Sequence, residues 1–212
     1  MRLLMFEHCS LCFRVRMIAA LKGIRLEEQV VIDDDDDAMV SLVGRRVIPI
    51  LVMDDNTPML ESMDMVEYIE AMGSPALVGN ERPEMTAMED ELLSRTPNLT
   101  MPRYSRLDLP EFATPSARAH FIQRKMKTYR DFDDLIAETP AFIEALMPSL
   151  EKLDRMIESE TAVNGMLSRD DIRILPILRS LGVVKNLEWP SRVRSYTETM
   201  MSRLGFQPLP QI

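Results

Sequence analysis

Cysteine, histidine and unbroken apolar sequence are all scarce in this chain. Two cysteines in 212 residues cannot build the disulfide framework of a small secreted protein. The only histidines, His8 and His120, leave a tetrahedral zinc site short of ligands, and no metal is expected. The longest apolar run, Val47 to Met53, is far shorter than the roughly 20 residues that cross a bilayer, so no membrane partner is expected. Positive charge is also in deficit. There are 25 Lys+Arg against 34 Asp+Glu, a formal net charge of -9, which is poorly suited to neutralising phosphates and argues against a nucleic-acid partner. Arg2 is followed by only four apolar residues before Glu7 and His8. No signal peptide is therefore expected, and the cytoplasm, a reducing compartment, is the expected location.

What remains is a folded-protein balance of 46% apolar and 28% charged residues, long enough for one large domain or two small ones. The first seventy residues alternate strand and helix signals. Arg2 to Phe6 and Leu26 to Ile32 read as strands, with a helix from Cys12 to Lys22 between them, closed by Gly23. That helix is apolar nearly all round, which calls for covering on two sides. A short helix over 37–43 ends at Gly44. The apolar stretch 47–53, the turn Asp54-Asp55-Asn56 and Pro58-Met59-Leu60 follow as paired strands. Ser62 is placed to cap a helix running to Met72. The order βαβαββα predicts a small mixed sheet flanked by helices.

Beyond Arg82 the strand signals stop. Pro83, Pro115, Pro140 and Pro190 sit where helices begin, with Thr114 and Thr139 as N-caps before two of them. Ser168-Arg169-Asp170-Asp171 has capping-box spacing. The expected fold is thus α/β plus all-α, with an α/β domain at 1–73, a linker at 74–82 and a helical domain at 83–212.

Three segments are candidates for chemistry. Cys9-Ser10-Leu11-Cys12 lies at a strand-to-helix junction, where free backbone N–H groups and the helix dipole favour a negative charge. The thiolate is the reactive form of cysteine, so Cys9 reads as a nucleophile and Cys12, one turn in, as a thiol that resolves a mixed disulfide. Half of a zinc site or a plain pair of core cysteines are the alternatives. Val47-Ile48-Pro49 places a proline at an apolar strand, either as an ordinary trans residue or as a cis peptide that exposes the Ile48 backbone. Glu61-Ser62 opens a helix whose N–H groups suit a ligand carboxylate, with Glu61 facing a ligand ammonium. His8 reads as a surface histidine, with help in holding the Cys9 thiolate as the alternative, and Asp33 to Asp37 as a solvated loop, with metal binding as the alternative. The 18 methionines read chiefly as gap fillers in cores.

These residues together resemble a known family. His8-Cys9-Ser10-Leu11-Cys12, Val47-Ile48-Pro49-Ile50-Leu51 and Glu61-Ser62-Met63-Asp64, in that order, are similar to the glutaredoxins. The helical half makes the chain resemble the two-domain bacterial glutaredoxin 2 family, built like a glutathione transferase. The likeness continues through Thr114-Pro115-Ser116-Ala117-Arg118, Ala162-Val163-Asn164-Gly165, Ser168-Arg169-Asp170-Asp171 and Trp189-Pro190-Ser191-Arg192-Val193.

The resemblance implies a thioredoxin-like N-terminal domain and a glutathione-dependent thiol–disulfide oxidoreductase in which glutathione donates electrons and glutathionylated proteins are reduced. It assigns Cys9 and Cys12 the redox roles, Ile48 the pairing with glutathione beside a cis Pro49, and Glu61 and Ser62 the γ-glutamyl end. Arg14 or Arg46 would meet the glycine carboxylate. A monomer is expected. The chain departs from the usual motif, which has proline and tyrosine where Ser10 and Leu11 stand. That change adds a backbone N–H near the Cys9 sulfur and removes an aromatic wall. Some glutaredoxins with serine in the motif hold a bridging iron–sulfur cluster, an alternative that Ser10 leaves open. Rival readings are a glutathione transferase and a non-enzymatic, transferase-like binding module.

Overall fold

The computed structural model describes residues Met1–Ile212. Its first part is a four-stranded sheet in the order β2-β1-β3-β4. The elements are β1 (Arg2–Met5), α1 (Ser10–Leu21), β2 (Glu27–Val30), α2 (Asp37–Val43), β3 (Ile50–Val52), β4 (Pro58–Met59) and α3 (Ser62–Glu70). β2 runs parallel to β1, with Leu3 opposite Glu28, while β3 runs antiparallel to β1, with Leu3 opposite Leu51. β4 pairs antiparallel to β3.

Successive residues of a strand point to opposite faces, and β1 uses both. Leu3 and Met5 join Leu51 in the core beneath α1 and α3, whereas Leu4, Ile50 and Val52 pack with Met39 of α2 on the other face. Of the expected boundaries that moved, two bear on the site. α1 begins at Ser10 rather than Cys12, with Cys9 in the N-cap position. β3 begins at Ile50 rather than Val47, because Pro49 follows a cis peptide and offers no N–H to a ladder.

The remaining elements are helical. They are α4 (Pro83–Arg95), α5 (Pro97–Tyr104), a 3-10 turn at Pro110–Phe112, α6 (Pro115–Lys125), α7 (Phe132–Ala137), α8 (Thr139–Met156), α9 (Arg169–Leu181) and α10 (Ser191–Leu204). Proline stands in the first turn of α4, α5, α6 and α8, where its missing N–H costs no helical bond. Thr114 caps α6, its hydroxyl accepting from the Ala117 N–H at 3.1 Å. Thr139 does not cap α8. Glu138 closes α7 and also precedes α8, so Thr139 lies inside the helix and its hydroxyl accepts from Arg103 instead. The N-terminus of α10 has no side-chain cap of its own, and the Asp154 carboxylate accepts from the Arg192 and Val193 N–H groups there.

Apart from the half-buried Arg16, helix α1 is buried from Cys12 to Ala19 with α3 on one side and α9 on the other, so a single apolar core runs through both halves of the molecule. Methionines 5, 17, 65, 85, 88, 200 and 201 all lie in it, in keeping with the gap-filling role of that side chain. The segment between the halves is pinned as well. Gly79 donates to the Leu167 carbonyl at 2.7 Å, and a Cβ there would stand 2.3 Å from the Met166 oxygen. No helix is long and apolar enough to cross a membrane.

The capping box of α9 is complete, and its Asp171 does more than cap. The buried carboxylate accepts from the N–H groups of Val163 and Ser168 and from the Tyr196 hydroxyl, at 2.8, 2.8 and 2.9 Å. Asp171→Ala orphans all three donors and is expected to destabilise the protein by about 3 kcal/mol, against about 1 kcal/mol for Ser168→Ala. Chemical denaturation of the two variants measures the difference, and equal losses would show that Asp171 acts only as a cap.

Candidate functional site

Cys9 sits where β1 has ended and α1 begins, partly exposed, with Cys12 fully buried behind it. An N-cap side chain accepts from the N–H groups two and three residues further on. Here those are Leu11 and Cys12, and the Cys12 N–H lies 3.3 Å from the Cys9 sulfur. The extra N–H that Ser10 brings to the motif is not among these donors.

A hydrogen bond from the Cys12 thiol is the largest influence on Cys9. Burial opposes it, and the backbone donors and the nearby His8 reinforce it, so the thiol falls from 9.0 to about 6. Cys12 moves the opposite way, well above the ordinary value, through burial and through its role as donor to Cys9. One thiol is thus ionised near neutrality while its neighbour holds its proton.

Cys9 opens onto a cleft of about 350 Å³ between the two halves. Ser10, Leu11, Val47 and Ile48 line one wall; Leu93, Pro97, Met101 and Tyr104 of α4 and α5 line the other. The Ile48–Pro49 peptide is cis, and neither the N–H nor the carbonyl of Ile48 has a backbone partner. Glu61 and Ser62 head α3 outside this lining. Glu61, not Ser62, takes the N-cap position, and the Ser62 hydroxyl accepts from Arg14 at 3.5 Å. Arg14 is buried in an ion pair with Glu89, whereas Arg46 reaches the cleft but is bonded to Asp33 and Asp36. No group of three or more His, Cys, Asp or Glu side chains is arranged to hold a metal ion.

Two further expectations are overturned. His8 is not on the surface: it is 7% exposed, stacked between Phe6 and Phe112 with Tyr104 and Phe121 completing the cage. Asp33 is not solvated but fully buried, accepting from Arg46, Arg124 and His120 at 3.1, 3.3 and 2.9 Å. Only the rest of the acidic run faces outward.

Sequence reasoning also passed over Glu111. Its carboxylate is fully buried and accepts from the backbone N–H groups of Glu7 and His8, at 3.2 and 3.0 Å, and from the His8 ring. The helical half thereby holds the loop that presents Cys9. Arg179 of α9 reinforces it, donating to the Glu7 carbonyl at 2.9 Å. Nothing local marked Glu111, since its partners lie a hundred residues earlier in the chain.

Residues 84–209 match the family model for the glutaredoxin 2 C-terminal domain, and residues 8–72 match the glutathione S-transferase N-terminal domain. Over 201 residues the chain is 37% identical to glutaredoxin 2 of Escherichia coli strain K12, covering 94% of each. The chain belongs to the glutaredoxin 2 family.

Among solved structures, glutaredoxin 2 from Salmonella typhimurium in complex with glutathione superposes with a TM-score of 0.94 at 34% identity, covering 98% of this chain and 96% of that one. A glutathione transferase from Phanerochaete chrysosporium, at a TM-score of 0.71 and 11% identity over 97% of each chain, shares the fold alone. In this family member the thioredoxin-like sheet and the helical half meet at Cys9.

Burial alone would raise the Glu111 carboxyl, but the hydrogen bond and charge of His8 outweigh it and hold it below the usual carboxylate value. A depressed carboxyl stabilises the fold above its unfolded value and loses that contribution as pH falls through the folded one. Glu111→Gln is expected to cost about 1–3 kcal/mol at pH 7. The gap to the parent protein should narrow as the medium is acidified below pH 4.5. Denaturation curves at pH 7 and pH 3.5 (about one unit below the unfolded value) check this; a gap that stays constant would contradict it.

Proposed function

We propose that this glutaredoxin is a glutathione-dependent thiol–disulfide oxidoreductase that reduces mixed disulfides between glutathione and protein thiols, with Cys9 as the nucleophile and Cys12 as the resolving thiol. The observation that carries the reading is the opposed ionisation of the two thiols, Cys9 lowered to about 6 and Cys12 raised. At neutral pH only Cys9 is an anion, so it attacks the glutathione sulfur of a mixed disulfide. A bond forms between the two sulfurs, the old disulfide breaks, and the protein thiolate leaves. A second glutathione thiolate then attacks the glutathione sulfur of the Cys9 mixed disulfide, releasing glutathione disulfide and returning Cys9 as the thiolate. For a substrate still joined to Cys9, Cys12 closes the disulfide Cys9–Cys12, and glutathione reduces it.

The cleft suits glutathione as substrate. The unpaired N–H and carbonyl of Ile48, on the cleft wall beside Pro49, match the amide groups of an extended peptide. The head of α3 offers free N–H groups for the γ-glutamyl carboxylate, with Glu61 for its ammonium. Leu11, 38% exposed on the cleft wall, takes the place of the aromatic wall with an aliphatic one. A single chain supplies both sides of the cleft, so the cycle needs no second copy. Its work belongs in a reducing compartment such as the cytosol, where glutathione keeps thiols reduced. A purely binding module has no use for an ionised cysteine at its centre, which disfavours that rival.

Cys9→Ser is expected to lose at least about a thousandfold in rate on a glutathionylated peptide. Cys12→Ser should retain that reaction while failing to reduce an intramolecular protein disulfide. Full activity of Cys9→Ser on the glutathionylated peptide would overturn the assignment.

A further inference from the structure

Three cations reach the cleft beside Cys9: Arg46, Arg124 and Lys125. Two are already committed. Arg46 and Arg124 both donate to the buried Asp33 carboxylate. Lys125, the last residue of α6, is half-buried and has no hydrogen-bond or ion-pair partner. Its ammonium stands 5.9 Å from the centre of the Phe121 ring, and that ring meets His8 edge-on at 5.4 Å. The amine is therefore held on an aromatic face in the same wall as the residue next to the nucleophile. A partly desolvated ammonium left unpaired is costly, and the open side of this one is the cleft, where negative charge arrives during reaction.

The charged groups facing Lys125 come from several elements. Arg124 is on its own helix, Asp33 follows β2, Arg46 precedes β3, and Cys9 heads α1. Burial, then Arg124, lower the amine from its ordinary value, while Cys9 and Asp33 pull the other way. A lysine so placed yields its proton more readily than one in water.

We propose that Lys125 is the general acid of the exchange at Cys9, protonating the thiolate that leaves. As the Cys9 sulfur bonds to the glutathione sulfur of R–S–S–G, the electron pair of the broken S–S bond goes to R–S. A proton passes from Nζ to that sulfur, giving R–SH and a neutral amine, which solvent reprotonates. The step consumes no further reductant. It rests on Cys9 being the attacking thiolate.

The test compares single-turnover reduction of two glutathione mixed disulfides, one with an alkyl thiol as leaving group and one with the aromatic thiol thionitrobenzoate. The aromatic thiolate departs without needing a proton. In Lys125→Met the ratio of the alkyl to the aromatic rate is expected to fall about tenfold or more. Lys125→Arg keeps the charge but cannot release a proton, so it should show the same fall. An unchanged ratio in Lys125→Met, including equal slowing of both substrates, would overturn the proposal, as would recovery of the ratio in Lys125→Arg. Failure of the underlying reading is seen separately, as activity that survives in Cys9→Ser on both substrates.

Discussion

A negative charge held on one sulfur at the head of α1 is the constraint around which this structure is arranged. Sulfur anions at partly buried positions are unstable unless donors converge on them. Here the Leu11 and Cys12 N–H groups and the Cys12 thiol do so. Those donors are aligned only while α1 is a rigid helix starting at Ser10, and α1 is rigid because it is buried between α3 and α9. The packing of the two halves is thus part of the chemistry rather than a scaffold beside it.

The helical half also acts on the loop that carries the sulfur. Glu111 takes up the N–H groups of Glu7 and His8, and Arg179 takes up the Glu7 carbonyl. Without these partners the turn between β1 and α1 would leave buried polar groups unpaired. On the far wall, Asp33 ties the segment after β2 to α6 through His120 and Arg124. Occupying those cations leaves Lys125 as the free one at the cleft.

Much of this was legible from residue order. The strand-to-helix position of Cys9-x-x-Cys12, the βαβαββα order, the prolines that open helices and the Ser168–Asp171 capping box all follow from local chemistry, and all appear in the structure. What sequence could not show were pairings across long separations. Glu111 meets residues about a hundred positions away, and Asp33 meets α6 more than eighty positions on. Read locally, Asp33 was one acid in a run of five and His8 a lone polar residue, and only the packing of the second half over the first buries them. Thr139 failed as a cap for a different reason: α7 runs so closely into α8 that no loop remains for a capping residue.

The most direct measurement is the pH dependence of carboxamidomethylation of Cys9 in the reduced protein, followed by mass spectrometry of the peptide that carries it. A rate that rises with a midpoint near 6 is expected for a sulfur held as an anion by the Cys12 thiol and the first N–H groups of the helix it begins. A midpoint near that of free cysteine, about 8.5, would show that these donors exert no such hold.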